Sequence, residues 1–196
     1  MIQIFDDVLA PDLIDRYEEM HYDTEFPWYF TPGRGLSIQQ HDWMEDWNFE
    51  DSVIHETMVL SHTFCKLNHD WNSEYSDQAI EVAQHIVDRM KKNCEVQRAR
   101  SNAFFRQPRL YALEHLTPHK DQDHEHLVAM FYINDSDGDL YLFEHGDDGV
   151  TRITDSVKPR KNRAVVFPGT MYHAGTAPER SHCRLASNFN FKIISE

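Results

Sequence analysis

The sequence contains no apolar run approaching the roughly 20 residues that a membrane-spanning helix needs, so we expect no membrane segment. Residues 1–7 lack the basic stretch that opens a secretory signal, which predicts no export. Cysteine is also scarce: the chain has three, Cys65, Cys94 and Cys183, widely spaced and without a Cys-x-x-Cys pair. These absences argue against a disulfide framework and a zinc ribbon, and they favour free thiols in a reducing, cytoplasmic location.

Positive charge is in short supply too. The chain has 19 lysines and arginines against 33 aspartates and glutamates, which gives a formal net charge of −14. This charge repels a polyphosphate backbone, so a nucleic-acid substrate is disfavoured. The basic run at Arg160, Lys161 and Arg163 is interpreted as a solvated turn between strands. A basic peptide or a small amine-bearing molecule suits the overall charge better, and the oligomeric state stays open.

The predicted elements place helices before strands. Residues 11–20 predict a first helix, with proline in its favoured first turn. Ser76 to Asn93 is the clearest helix, because apolar residues recur there at helical spacing. From Cys94 onward the chain has the pattern of strands and turns. We therefore expect one domain of the α+β class, mainly β, in which residues 1–98 give helical or loop support and a pocket wall and residues 99–196 form the β core.

An aromatic stretch rich in helix-breaking residues follows the first helix. Residues 26–35 combine Trp28 and other aromatics with proline and glycine, which excludes a regular helix. Residues 41–49 add Trp43 and Trp47. Together they predict a loop-like segment whose apolar side chains either pack against the outside of the sheet or form a lid over a substrate pocket.

Candidate metal ligands begin with the His-x-Asp pattern. The chain has three such pairs: His21/Asp23, His119/Asp121 and His145/Asp147. The first pair follows a helical pattern, in which residues two apart diverge, and the third lies in a glycine-rich turn. The second follows Pro118, where extended backbone is favoured and residues two apart share a face. The His124-Glu125-His126 segment offers another pair, but its polarity predicts a surface loop.

A third ligand and a cation follow downstream. An apolar strand at residues 162–167 leads into a Pro-Gly turn and then to His173. Cys183 to Ile194 alternates as a strand, with Arg184 and Asn188 on the same face. Buried polar groups on such a face need partners, and a carboxylate held by two parallel hydrogen bonds would suit the arginine. Two histidines and one carboxylate suit Fe(II) with open coordination positions.

Taken together, these motifs resemble the prolyl-hydroxylase-like branch of the Fe(II)/2-oxoglutarate-dependent oxygenases over about residues 99–194. The resemblance is carried, in order, by Tyr111, His119-Lys120-Asp121, Leu127 to Asn134, Gly138 to Phe143, Val157 to Pro168, His173, and Arg184 to Phe189. It implies a double-stranded β-helix, or jelly roll, with the N-terminal helices packed on the sheet.

The resemblance also implies a site. The residues that would hold Fe(II) are His119, Asp121 and His173. Those that would contact 2-oxoglutarate are Arg184 and Tyr132 at its C5 carboxylate, Tyr111 near its chelating end, and Asn188.

The activity implied is an oxidoreductase, a dioxygenase that uses O₂ and forms succinate and CO₂, with ascorbate as a supporting reductant. Its substrate would be a peptidyl, prolyl-like residue or a small amino-acid-like molecule. Two alternatives stay open at this point. One is a cupin-like metal dioxygenase without 2-oxoglutarate, which would not need Arg184. The other is a jelly-roll module that binds a metal or ligand without turnover.

Overall fold

The computed structural model describes residues 1–34, 48–49, 53–54, 57–67, 70–108 and 114–194. The helices are α1 (Pro11–Tyr22) and α2 (Ser76–Met90). The strands are β1 (Gln3–Phe5), β2 (Tyr29–Arg34), β3 (Asn48–Phe49), β4 (Val53–Ile54), β5 (Thr57–Cys65), β6 (Cys94–Phe105), β7 (Glu114–His115), β8 (Leu127–Tyr132), β9 (Leu140–His145), β10 (Val150–Val157), β11 (Arg163–Pro168), β12 (Tyr172–Gly175) and β13 (Cys183–Ile193).

Two antiparallel sheets carry the architecture. The larger has seven strands in the order β1-β11-β8-β13-β6-β5-β2, and the smaller contains β12-β9-β10 with the short β3 added in parallel. The parallel pair β4 and β7 forms a separate two-stranded sheet. Buried side chains of both main sheets pack together, among them Val128 and Phe167 of the larger sheet and Leu140 and Leu142 of the smaller. This is the mainly β jelly roll that the sequence predicts.

The two helices cover the other face of the larger sheet. In α2 the buried residues recur at helical spacing: Ala79, Val82, Ala83, Ile86 and Met90. From α1 the side chains of Ile14 and Tyr17 join the same core cluster, which also includes Phe189 of β13. We call this cluster the helix-side core. It packs against β13 on the face that points away from the smaller sheet.

The N-terminal half contains more strand than the sequence predicts. Strands β5 and β2 extend the larger sheet beyond β6, although only helical or loop support was expected there. Phe26 and Trp28 pack against the helix-side core, so this part of the aromatic stretch packs against the sheet. Trp43 and Trp47 lie outside the described residues.

The predicted second helix is confirmed, but it ends at Met90 rather than at Asn93. Lys91 takes a left-handed conformation with φ of 54° and caps the helix by donating its backbone N–H to the carbonyl of Val87. Across the described ranges, neither helix combines the length and apolar character needed to cross a bilayer.

Candidate metal centre

One face of the larger sheet collects the polar side chains of the site. It is formed by alternate residues of three neighbouring strands: Arg184, Ala186, Asn188 and Asn190 of β13, Phe104, Asn102, Arg100 and Arg98 of β6, and Tyr132 of β8. Residues directly opposite each other in antiparallel strands share a face, so the register alone brings these side chains together. We call this surface the site face.

The opposite face of β13 is structural. Leu185 and Phe189 belong to the helix-side core, and the Ser187 hydroxyl lies 2.8 Å from the hydroxyl of Tyr17. The alternation predicted for this strand is therefore confirmed. Because successive side chains point to opposite faces, the packing of Leu185 and Phe189 forces Arg184 and Asn188 toward the site.

His119, Asp121 and His173 come together above this face. Their ligand atoms all lie within 4.8 Å of one another. His119 and His173 exchange backbone hydrogen bonds of 3.0 Å in each direction, which pins the segment after Pro118 to β12. The His119 Nε2 atom lies 3.7 Å from Asp121 Oδ1. The strand expected for the second His-x-Asp pair is wrong, because His119 forms an isolated bridge with His173 and Asp121 lies in a bend, but both side chains still reach His173.

Backbone carbonyls orient both imidazole rings. His119 Nδ1 lies 3.1 Å from the carbonyl oxygen of Thr117, and His173 Nδ1 lies 3.3 Å from that of Met171. Since a carbonyl only accepts, each Nδ1 carries the proton and each Nε2 presents a lone pair. The Nε2 atom of His173 is buried without a hydrogen-bond partner among the described residues. A buried acceptor is costly when unsatisfied, and a metal ion would satisfy it.

The Asp121 carboxylate is held in place by two asparagines of β13. Nδ2 of Asn190 donates to Asp121 Oδ2 at 2.8 Å, and Nδ2 of Asn188 donates to the same oxygen at 3.0 Å. Arg98 Nη1 lies 3.6 Å from Asp121 Oδ1. These contacts leave Oδ1 facing the histidines, as expected for a metal-binding carboxylate with a supporting shell.

The surroundings of the three side chains favour an ionised Asp121 and neutral His119 and His173. Burial raises the pKa of Asp121, but its interactions with the His173 and His119 rings, the charge of Arg98 and the hydrogen bond from Asn190 outweigh burial and hold that pKa well below its ordinary value. Burial lowers the pKa of His173 and of His119, although His119 keeps 32% of its side chain exposed and solvent moderates the effect there. Neutral imidazoles and an ionised carboxylate are the forms that bind a divalent metal.

The other two His-x-Asp pairs do not form such a group. Both ring nitrogens of the buried His21 are engaged, Nδ1 with the carbonyl of Tyr17 at 2.6 Å and Nε2 with the hydroxyl of Ser101 at 2.7 Å. His145 lies at the exposed end of β9, with its Nδ1 2.9 Å from the Thr151 hydroxyl. Within the described ranges, the His119 group alone gathers three potential metal ligands.

Arg184 is buried at one end of the site face. It is 2% exposed, its Nη1 donates to the carbonyl of Gly138 at 2.9 Å, and its guanidinium lies 4.2 Å from the centre of the Phe104 ring. Its Nε has no partner in the described structure, and the same holds for the hydroxyl of Tyr132, which is fully buried on the adjacent strand. Burial raises the pKa of Tyr132 to about 12, so the hydroxyl keeps its proton. Two unused donors beside a fixed positive charge can bind a carboxylate.

Three further residues named in the sequence analysis, Tyr111, Asn188 and His126, have different outcomes. Tyr111 lies outside the described residues. Asn188 contacts Asp121, so its nearest role is to hold a candidate metal ligand.

The surface location expected for His126 is wrong: this residue is 3% exposed, and a Cβ added at Gly169 would collide with its ring. The close passage of a glycine backbone buries a histidine that its polar sequence neighbours place at the surface.

Sequence reasoning missed Arg98 and Arg100. Both lie on the site face of β6, and Arg100 is 7% exposed with Nε and Nη2 buried and unpartnered within the described ranges. A signal was present, since Arg98, Arg100 and Asn102 alternate with apolar or small residues in the same way as the polar residues of β13.

Comparisons with known proteins agree with this geometry. Residues 106–192 match the protein-family model of the 2OG-Fe(II) oxygenase superfamily. A search of curated proteins finds no match.

Solved structures share the fold. An oxidoreductase of the 2OG-Fe(II) oxygenase family from Burkholderia pseudomallei matches at 8% identity and a TM-score of 0.64, over 97% of this chain and 85% of its own. A prolyl-4-hydroxylase from Pseudomonas putida matches at 16% identity and a TM-score of 0.53, over 99% and 93%. HygX from Streptomyces hygroscopicus, solved with nickel and 2-oxoglutarate bound, matches at 10% identity and a TM-score of 0.53, over 98% and 82%.

Proposed function

We propose that the chain, whose residues 106–192 match the family model of the 2OG-Fe(II) oxygenase superfamily, is an Fe(II)- and 2-oxoglutarate-dependent hydroxylase. The substrate class in this proposal is a small amino-acid-like molecule or a peptidyl, prolyl-like residue. The observation that carries the proposal is the convergence of His119, Asp121 and His173 on one point, with the His173 Nε2 buried and unsatisfied in the described structure.

In this proposal the metal is held by His119 Nε2, Asp121 Oδ1 and His173 Nε2. Two imidazoles and one carboxylate on one side of an ion leave the opposite side open, which is the arrangement of non-haem Fe(II) oxygenases. Asn188 and Asn190 keep the carboxylate turned toward the ion. The carbonyls of Thr117 and Met171 keep both Nε2 atoms free of protons.

Arg184 and Tyr132 bind the C5 carboxylate of 2-oxoglutarate in this scheme. Arg184 has an unused Nε, and Tyr132 has an unused hydroxyl among the described residues. Asn188 uses one hydrogen of Nδ2 on Asp121, so the second is available to the C1 carboxylate. Tyr111 keeps its proposed place near the chelating end.

When bound, Fe(II) and 2-oxoglutarate supply the oxidising chemistry, in which O₂ is consumed, succinate and CO₂ are formed and a substrate C–H bond is hydroxylated. The chain's part is to orient these groups and to keep water from the reacting centre. The unused donors of Arg184 and Tyr132 favour this proposal over a cupin-like dioxygenase without 2-oxoglutarate and over a module without turnover. The three cysteines, all among the described residues, form no disulfide, which agrees with the proposed cytoplasmic location.

The test is succinate formation from 2-oxoglutarate by the Fe(II)-loaded protein with ascorbate. We expect His119→Ala, Asp121→Ala and His173→Ala each to abolish succinate formation and to lower metal affinity, with the fold retained by circular dichroism. His145→Ala is the matched control, because it removes a histidine from another His-x-Asp pair that does not belong to a group of three potential metal ligands among the described residues. Full activity in any triad variant would contradict the assignment, and metal binding without any 2-oxoglutarate binding would favour the cupin-like alternative.

A further inference from the structure

The site face extends past the metal ligands into a second polar region. The opposed residues of β5 and β6 place Ser61 beside Asn102 and Thr63 beside Arg100 on that face, and Arg98 follows at its rim. We call Ser61, Thr63, Arg98, Arg100 and Asn102 the β5–β6 polar patch. It lies on the side of β13 away from Tyr132, because β6 and β8 flank β13 on opposite sides.

Arg100 is the unusual member of this patch. It is 7% exposed, and its Nε and Nη2 atoms are buried without hydrogen-bond partners in the described structure. Within those same ranges it forms no ion pair within 4 Å, although it interacts electrostatically with Asp121 and with His119. Burial lowers the pKa of Arg100 to about 10, which leaves it positively charged at neutral pH. An uncompensated buried charge is strongly destabilising, so this one calls for a ligand.

The known groups of the site do not supply that ligand. Both hydrogen bonds to Asp121 Oδ2 come from asparagines, and Arg98 is the arginine within ion-pair distance of Asp121 Oδ1. With Fe(II) and 2-oxoglutarate bound, the double charge of the metal and the charge of Arg184 balance Asp121 and the two carboxylates of 2-oxoglutarate. The charges of Arg100 and of Arg98 then still lack a counterion.

We propose that Arg100, with Arg98 at the rim, binds a carboxylate of the substrate that is hydroxylated. This inference rests on the proposed function and deepens it by naming the substrate class: a molecule with a free carboxylate, such as a free amino acid. A guanidinium fork pairs with a planar carboxylate through two parallel hydrogen bonds, and Arg100 has two adjacent donors, Nε and Nη2, available for this.

This local charge runs against the overall charge of the chain. A net charge of −14 favours a basic or amine-bearing partner at long range. On the site face the unpaired charge of Arg100 is positive, and buried charges act more strongly than screened surface charges. A free amino acid satisfies both conditions, because it carries an ammonium group as well as a carboxylate.

The first experiment uses the wild-type holoprotein. Calorimetric titrations of the anaerobic protein loaded with Mn(II) and 2-oxoglutarate would compare each free amino acid with its own amide, L-proline with L-prolinamide among them. We expect at least one acid to bind at least about tenfold more tightly than its amide, the value of one charge-assisted contact. If no acid is preferred over its amide, the inference fails. Failure to bind 2-oxoglutarate itself would overturn the proposed function, and this inference with it.

The second experiment uses Arg100→Met, Arg100→Lys and, as a matched control, the exposed Arg106→Gln. Arg100→Met should lose the preference for the acid, Arg100→Lys should retain part of it, and Arg106→Gln should retain all of it. The dissociation constant for 2-oxoglutarate, measured without amino acid, should stay within about twofold in Arg100→Met. If that constant rises tenfold instead, the arginine serves the C1 carboxylate of 2-oxoglutarate, and the substrate assignment is overturned.

A stability measurement separates binding from a structural role. Removing a buried charge that has no partner should leave the melting temperature of ligand-free Arg100→Met equal to or above that of the wild type. A structural arginine would behave in the opposite way, and a fall of several degrees in Arg100→Met would contradict the proposal.

Discussion

The guanidinium of Arg184 passes directly over Gly175: a Cβ added at position 175 would collide with its two terminal nitrogens. The glycine on β12 therefore fixes where the arginine can lie. We predict that Gly175→Ala keeps the fold, because the flexible end of an arginine can move, but displaces the group proposed to hold 2-oxoglutarate. Binding of 2-oxoglutarate should weaken at least about tenfold, from the loss of a charge-assisted contact. Calorimetry checks this, and unchanged metal affinity is the internal control.

Replacing the arginine itself gives a sharper comparison. Arg184→Lys keeps a positive charge but loses the planar fork, so 2-oxoglutarate binding should weaken by about 1.5–3 kcal/mol. Tyr132→Phe removes one hydroxyl and no charge, and its effect should be smaller. Metal binding should barely change in either variant. The measurement is an anaerobic titration of the Fe(II)-loaded protein with 2-oxoglutarate, and identical curves for Arg184→Lys and wild type would mean that the arginine is structural.

The asparagines behind Asp121 should control metal affinity. Asn190→Ala removes the 2.8 Å hydrogen bond to Oδ2, so the carboxylate should lose part of its fixed orientation. We expect metal affinity to fall by about 10- to 100-fold, the usual cost of losing an outer-shell partner of a metal ligand. A competition titration with a metal-binding dye measures this. Lys192→Ala, on the same strand but exposed, should bind metal like the wild type.

The buried His21 should make stability depend on pH. Burial lowers the pKa of His21 from 6.5 to about 4. Between these values the unfolded chain takes up a proton that the folded protein does not. Stability is therefore complete above about pH 6.5 and falls as the pH drops toward 4. From pH 7.5 to pH 5 the loss due to this residue should be about 2 kcal/mol.

Urea denaturation at both pH values measures that loss. His21→Gln should lose less stability than wild type between pH 7.5 and pH 5, because the titrating group is gone. His85→Gln, which changes a histidine on α2 outside the helix-side core, should lose as much as wild type. Equal losses in all three proteins would show that His21 does not titrate on unfolding.

The proposed metal ligands and the polar face of β13 could be predicted from the sequence because local patterns point to them. The His-x-Asp spacing beside Pro118 singles out His119 and Asp121, although the structure brings them together through an isolated bridge to His173 and a bend instead of the expected strand. The alternation of β13 likewise separates Arg184 and Asn188 from the core residues between them. On β13 a period of two residues assigns side chains to faces without reference to any other part of the chain.

The tertiary structure alone decided which distant groups meet those faces. Asn190 reaches Asp121 across 69 positions of sequence, and Arg100 comes beside Asn188 because β6 pairs with β13 in one register. Strand β5 joins the sheet in the same way, through its pairing with β6. A local pattern specifies that one face of a strand is polar. Only the pairing of remote strands specifies which side chains of other strands lie beside that face. For that reason Arg100 went unnoticed in the sequence, and only strand pairing placed it on the site face beside Asn188.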